Sequence, residues 1–156
     1  MKNKTEFPNI CQKHFRFLEE EFNCLFFFKQ DSYGEYIDYL NSTTGISINF
    51  VPMDAGMVYV LISRLVGNKI PEYPIFVQKS QMELNTFDLE DLLAIRAPLF
   101  KIERPSFEQL EKPFKPRVFE KTIVQLSNAL RIYAQDVLKG DFSIFSELDK
   151  IVKNRL

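Results

Sequence analysis

The alternation of apolar and polar residues divides the chain into a helical start, a run of short strands and a helical end. Near the N-terminus, four apolar residues recur at spacings of four, three and four, as on one side of a helix. They are Cys11, Phe15, Leu18 and Phe22. The pattern predicts a helix from about residue 8 to residue 22, and a proline at position 8 suits its first turn.

Four brief apolar runs follow, rich in aromatic and β-branched residues: "CLFFFK", "YIDYL", "ISINFV" and "MVYVLISRL". The segments between them, "QDSYGE", "NSTTG" and "PMDAG", carry turn residues, which is typical of successive hairpins. In the third run, Ile46, Ile48 and Phe50 alternate with Ser47 and Asn49, which indicates one buried and one solvent-exposed face. The fourth run is apolar on both parities, which predicts a strand covered on both faces, by this chain or by another.

The middle of the chain gives weaker patterns. "NKIPEYP" predicts an extended loop because of its prolines, and "IFVQ" a short edge strand. "NTFDLEDLLAIRAP" predicts a short helix, capped by Asn85 or Thr86 and stopped by Pro98. "FKIERPSFEQLEKPFKPR" predicts an irregular surface connection, with a partner-binding strap as the alternative.

The strongest periodicity lies near the C-terminus and predicts a long amphipathic helix ending at Lys139. Its apolar positions step by three or four: Phe119, Ile123, Leu126, Leu130, Ala134 and Val137. Gly140 then suits a left-handed helix end, and Asp141 can accept hydrogen bonds from the next turn. The pair therefore predicts a tight corner before a short last helix, which carries Phe145, Leu148 and Val152 on one side. A phosphate cradle is the alternative, but it would need more glycines after a strand.

These elements predict an α+β fold. An antiparallel meander sheet of about four strands follows an N-terminal helix and precedes a C-terminal helical region, and residues 1–156 form a single domain. The 16 phenylalanines, with no tryptophan, favour a bulky core, and the alternative is an apolar surface kept for a partner.

Composition argues against several classes of protein. The 20 basic and 21 acidic residues give a formal net charge of −1, which does not favour nucleic-acid binding. Two cysteines without C-x-x-C spacing fit a reducing compartment. We find no secretory signal pattern and no apolar stretch long enough to span a membrane, so a cytoplasmic location is expected.

Candidate chemistry is sparse, and we expect no enzyme activity, catalytic residue, metal site or cofactor. His14 is the only histidine, and with Cys11 three residues earlier it lacks further ligands for zinc. A packed histidine is the expected role. The carboxylates at Asp88, Glu90 and Asp91 suit the N-terminal end of their helix.

The hairpin between the first two strands carries the candidate partner-binding residues. Tyrosines alternate with acids there, which is a common interface composition. The predicted surface comprises Asp31, Tyr33, Glu35, Tyr36 and Asp38. A plain solvated turn is the alternative interpretation.

The order of elements and the stretch "YAQDVLKGDFSIFSEL" at 133–148 resemble a group of small bacterial immunity-type proteins that accompany polymorphic toxins. The resemblance implies a cytoplasmic protein that neutralises a partner toxin by occlusion and uses no catalytic residue. The near-neutral charge departs from the acidic surfaces that usually neutralise basic nucleases, which indicates a toxin of another kind.

Two alternatives remain open. The chain could be a general interaction or adaptor domain, including a homodimer formed through the fourth strand at Tyr59 or through the long helix. It could also be an enzyme that uses dispersed carboxylates. Monomer and homodimer are both compatible with the sequence.

Overall fold

A computed structural model describes residues 6–52, 58–72, 77–78, 82–106 and 116–156. In chain order, the helices and strands are α1 (Glu6–His14), α2 (Arg16–Phe22), β1 (Leu25–Gln30), β2 (Glu35–Leu40), β3 (Thr44–Phe50), β4 (Val58–Arg64), β5 (Thr86–Asp88), α3 (Leu89–Arg96), α4 (Glu120–Tyr133), α5 (Gln135–Leu138) and α6 (Phe145–Asn154). A short 3-10 turn, Pro116–Phe119, leads into α4.

The strands form one antiparallel sheet in the order β1-β2-β3-β4-β5. One face is apolar and fully buried at its centre, where Ile37, Ile48 and Val60 lie side by side. This face, the inner face, packs on the helices; the Phe50 ring, for example, contacts those of Phe7 and Phe119. The predicted α+β class and meander are confirmed, with a fifth strand added. The solvent-exposed face predicted for the third strand is wrong, because Ser47 and Asn49 are buried as well.

The fifth strand corrects the predicted start of α3. Thr86 pairs with Ser63 of β4 instead of capping the helix, and the two hydroxyls lie 2.8 Å apart. Asp88 is the N-cap, and its carboxylate accepts the Glu90 N–H at 2.8 Å. The helix ends at Arg96, shortly before Pro98, as its composition predicts. The proposed caps Asn85 and Thr86 are therefore wrong by two to three positions.

The predicted N-terminal helix is divided in two at Phe15, whose backbone leaves the helical region (φ −102°, ψ 14°). The break lets Phe15 and Phe17 both face the core, which one continuous stripe would not allow. Their rings lie 6.4 Å apart. Asn23 then ends α2 in the left-handed conformation (φ 57°), which asparagine tolerates.

The long C-terminal helix is also interrupted, at Ala134. The cause is a contact from α3: Arg96 donates to the Tyr133 carbonyl at 2.6 Å and holds the Asp136 carboxylate with two further bonds of 2.6 Å. A carbonyl that accepts from Arg96 is not available to the next turn of the helix, and the backbone of Ala134 leaves the helical region there (φ −121°, ψ 23°).

The corner at Gly140 is confirmed. Gly140 has a φ of 92°, and its N–H donates to the Val137 carbonyl at 3.0 Å. The Asp141 N–H donates to the Asp136 carbonyl at 2.9 Å, which completes a Schellman motif. The Asp141 carboxylate accepts from the Ser143 N–H at 3.0 Å, within the connection and before α6 begins.

Several predicted segments lie partly outside the described residues, among them "PMDAG" at positions 53–56 and "NKIPEYP" at positions 73 and 74. Of "IFVQ", positions 75 and 76 are outside, and Val77 and Gln78 have no strand pairing. Of the proline-rich connection, residues 107–115 are outside, and residues 100–106 form no regular element. The fourth strand lies within the sheet, between β3 and β5. Its Val58, Val60 and Ile62 are buried, whereas Tyr59 and Leu61 on the other face are half-buried.

Candidate partner-binding surface

The turn between β1 and β2 is built around one carboxylate. Asp31 accepts the N–H of Tyr33 at 2.8 Å, the N–H of Gly34 at 3.0 Å and the hydroxyl of Tyr36 at 3.2 Å. These bonds, the Tyr33 N–H first among them, lower the pKa of Asp31. The carboxylate therefore stays ionised and fixes the turn.

Tyr33 projects from this fixed turn with 71% of its surface exposed. Gly34 follows it because the chain passes close to β3, and a Cβ there would collide with the carbonyl oxygen of Phe50. An aromatic side chain on a fixed backbone loses little conformational freedom when it is buried by a partner. The turn therefore presents Tyr33 in a form suited to binding.

The pleat of β2 divides the predicted patch between two faces. Tyr36 and Asp38 lie on the outer face of the sheet, opposite the helices. Asp38 accepts the Ser47 hydroxyl at 2.8 Å. Glu35 shares its parity with Ile37 and points toward the helices, where burial, followed by the charge of Glu6, raises its pKa.

The structure thus brings together Asp31, Tyr33 and Tyr36, places Asp38 farther along the same face, and directs Glu35 away. We call Asp31, Tyr33, Tyr36 and Asp38 the hairpin surface.

An apolar edge adjoins the hairpin surface and was missed by sequence reasoning. Leu25 is 66% exposed, Phe27 52% and Phe28 38%, all on β1. The run "LFFF" is apolar on both parities, as in the fourth strand, but β1 lies at the end of the sheet and not within it. The same apolar pattern means a strand covered on both faces when the strand lies within the sheet, and exposed apolar side chains when it lies at the edge.

The acidic residues near α3 are all engaged in local structure. Asp88 caps the helix, Glu90 forms an ion pair with Arg104 at 2.5 Å, and Asp91 pairs with Arg155 at 2.5 Å. Burial raises the pKa of Asp88 to about 6. Glu90 and Arg104 also line an open groove of about 320 Å³, whose other walls are mainly apolar. This arrangement stabilises the start of α3.

His14 takes the packing role expected from the sequence and joins two helices. Its Nε2 lies 2.8 Å from a carboxylate oxygen of Glu120 at the start of α4. This hydrogen bond is the main cause of the lowered pKa of Glu120. Cys11, one turn earlier, is fully buried. In the described part of the chain, no group of three or more histidine, cysteine or acidic residues is placed to hold a metal ion.

Comparison of the chain with protein-family models, with curated proteins and with solved structures gave no match. Within the ranges that the structure describes, no helix has the length and apolar character needed to cross a membrane.

Proposed function

We propose that this chain is a non-enzymatic protein-binding domain that acts as an immunity-type protein, occluding a partner toxin with its hairpin surface. The observation that carries the proposal is Tyr33, 71% exposed on a turn that three hydrogen bonds to Asp31 hold in place. Occlusion requires only a firm scaffold and a complementary face.

The hairpin surface combines the chemistry that protein interfaces favour. Tyr33 supplies exposed apolar area with a polar end, and Asp31 and Asp38 supply negative charge on the same side of the sheet. Tyrosine is enriched in interface centres, where a few aromatic anchors carry most of the binding energy. We expect the partner to present a pocket for Tyr33 and a cationic rim for the two carboxylates.

Three carboxylates that could serve as catalytic groups are instead bonded within the fold. Asp31 holds a turn, Asp88 caps a helix, and Glu90 is paired with Arg104. Each of these bonds gives its carboxylate a role in stabilising the fold. A scaffold role for these groups leaves exposed apolar side chains, Tyr33 among them, as features without a folding explanation.

The proposal is tested by affinity capture from the source cell with three baits: the wild-type chain, Tyr33→Ala and Ile132→Ala. Ile132 is 61% exposed on α4, far along the chain from the hairpin, so its variant is the matched control. We expect one protein to be enriched by the wild type and Ile132→Ala, and to be lost with Tyr33→Ala.

The captured protein is then purified and its toxicity measured with and without the chain. Inhibition at equimolar wild type, weakened at least tenfold by Tyr33→Ala, is the expected result; one anchor worth about 1.4 kcal/mol gives that factor. A partner that all three baits retain equally, or that the chain binds without inhibiting, would contradict the proposal.

A further inference from the structure

In the part of the chain that the structure describes, the strand β1 leaves one long edge of the sheet open. β2 pairs along one side of it, and among the described residues no strand pairs along the other. Natural sheets protect such edges with charges, prolines or bulges. In β1 the only charge is Lys29, and the four residues before it are Leu25, Phe26, Phe27 and Phe28.

The hydrogen-bond pattern shows which backbone groups face outward. At the turn, the Asp31 N–H donates to the Gly34 carbonyl at 3.0 Å, so these two residues form a hydrogen-bonded pair. Bonded and non-bonded pairs alternate along an antiparallel ladder. The N–H and carbonyl groups of Phe26, Phe28 and Gln30 therefore point toward the open edge.

We propose that this edge binds a second copy of the chain, by antiparallel pairing of β1 with β1 about a two-fold axis at Phe27. An axis perpendicular to the sheet keeps each face on its own side, so facing residues must have the same parity. Phe27 then faces Phe27 of the second copy, and Phe26 faces Phe28. The outward groups of Phe26 and Phe28 are the ones that this pairing joins.

The charges of the strand agree with this arrangement. Lys29 faces Leu25 of the second copy, so the two lysines do not oppose each other, and the stem of the lysine covers the most exposed apolar residue of the strand. An axis at Phe28 would instead place Leu25 opposite Asp31 and Phe27 opposite Lys29. Compared with the axis at Phe28, the axis at Phe27 therefore buries more apolar surface and places no carboxylate opposite an apolar residue.

The exposed apolar residues of β1 supply much of the area that a specific dimer needs. Leu25, Phe27 and Phe28 are 66%, 52% and 38% exposed. With about 150–250 Å² available per large side chain, they expose roughly 300 Å² per chain and about 600 Å² in a pair. Lys29, Gln30 and the outward backbone groups of the strand add to this area, since both side chains are exposed. Specific interfaces begin near about 1,000 Å². The resulting ten-stranded sheet would carry both hairpin surfaces on one face, and this dimer does not depend on the proposed function.

The first test measures mass in solution by sedimentation equilibrium, from low to high micromolar chain concentration. We expect a dimer for the wild type and for Ile132→Lys, and a monomer for Phe27→Lys, which places two like charges on the axis. A monomeric wild type over the whole range would overturn the proposal, including the case in which a different protein occupies the edge. A dimer that persists in Phe27→Lys would overturn it as well.

The second test fixes the register by oxidative cross-linking of full-length variants. Phe27 forms a non-hydrogen-bonded pair with its copy, where Cα atoms lie about 4.5 Å apart, within disulfide reach. We expect Phe27→Cys to form a covalent dimer rapidly under mild oxidation. Lys29→Cys, four positions from its own copy, should react at least tenfold more slowly. Equal rates for the two variants, or a faster reaction of Lys29→Cys, would contradict the register. Cys11 and Cys24 are buried and give the background rate in the wild type.

Discussion

Thr43 lies against Gly140, so closely that a Cβ on the glycine would sit 3.0 Å from the Thr43 hydroxyl oxygen. The β2–β3 turn thus rests on the corner between α5 and α6. Gly140 is required twice, because its φ of 92° is strained for other residues and because Thr43 occupies the space of a side chain.

We expect Gly140→Ala to lower the free energy of unfolding by about 2–3 kcal/mol, combining backbone strain with the displacement of Thr43. Gly67 offers the matched control, since its φ is 59° and nothing lies within 4 Å of its Cβ position. Gly67→Ala should cost only about 1 kcal/mol. Urea denaturation of both variants separates the two contributions, and equal losses would show that the contact with Thr43 adds nothing.

Asn41 connects the same turn to the ends of two helices. Its side-chain N–H group donates to the Phe22 carbonyl at 3.2 Å and to the Leu138 carbonyl at 3.0 Å. Its side-chain oxygen accepts the N–H of Thr43 and of Thr44. Asn41→Ala removes all of these bonds, and we expect a loss of about 3 kcal/mol by urea denaturation.

Asn41→Asp distinguishes the two halves of this role. The variant keeps the acceptor for the turn, but it loses the donor and places a negative charge beside two helix C-termini, where anions are unfavourable. We expect it to be less stable than the wild type at pH 7 and to recover part of the loss in acid. Ser42→Ala, at an exposed position of the same turn, should change stability by less than about 0.5 kcal/mol.

The sequence predicts the elements well where one helix or hairpin determines its own pattern. The corner at Gly140 and the buried stripe of α6, Phe145, Leu148 and Val152, follow from local periodicity and were confirmed. The break at Ala134 was not predicted because it depends on Arg96, 38 positions earlier in the chain. β5 was missed because a strand of three residues is too short to show an alternating pattern, and only its pairing with β4 defines it.

The candidate surface was predictable in part. Because strands alternate faces, Glu35 has the parity of Ile37 and could have been separated from Tyr36 on sequence grounds. The exposure of Phe27 could not, because an apolar run predicts a strand but not its place in the sheet. Strand order depends on contacts between distant segments, and residue patterns report on them only weakly.

Asp88 predicts a pH dependence of stability. Burial, with smaller contributions from the charges of Glu90 and Asp91, raises its pKa from 3.8 to about 6. The folded chain therefore holds this proton more tightly than the unfolded chain does. The contribution of Asp88 is most favourable below about pH 4 and is lost as pH rises toward about 6.

Asp88→Asn keeps an acceptor for the Glu90 N–H and removes the buried charge. Relative to the wild type, we expect this variant to gain stability between about pH 4 and pH 6, by up to about 3 kcal/mol for a shift of roughly two pKa units. Asp141→Asn is the control of opposite sign, because hydrogen bonds from Ser143 lower the pKa of Asp141. Its relative stability should fall as pH rises. If the difference in free energy of unfolding between Asp88→Asn and the wild type does not change with pH, the raised pKa of Asp88 is ruled out.

Tyr39 carries a fully buried hydroxyl within the inner face of the sheet, where its ring contacts those of Phe15 and Phe26. Within the described ranges this hydroxyl has no hydrogen-bond partner, and burial raises its pKa well above the ordinary value. A buried polar group without a partner destabilises the folded state by about 1–3 kcal/mol.

Tyr39→Phe removes that hydroxyl and keeps the ring, so we expect the free energy of unfolding to rise by about 1 kcal/mol. Tyr36→Phe is the matched variant on the same strand, and it should lower stability by about 0.5 kcal/mol because its hydroxyl donates to Asp31 at 3.2 Å. Urea denaturation at pH 7 compares the two. A loss of stability in Tyr39→Phe would mean that the hydroxyl is satisfied in the folded chain, and the core around Cys11 and Cys24 would then have to contain a partner for it.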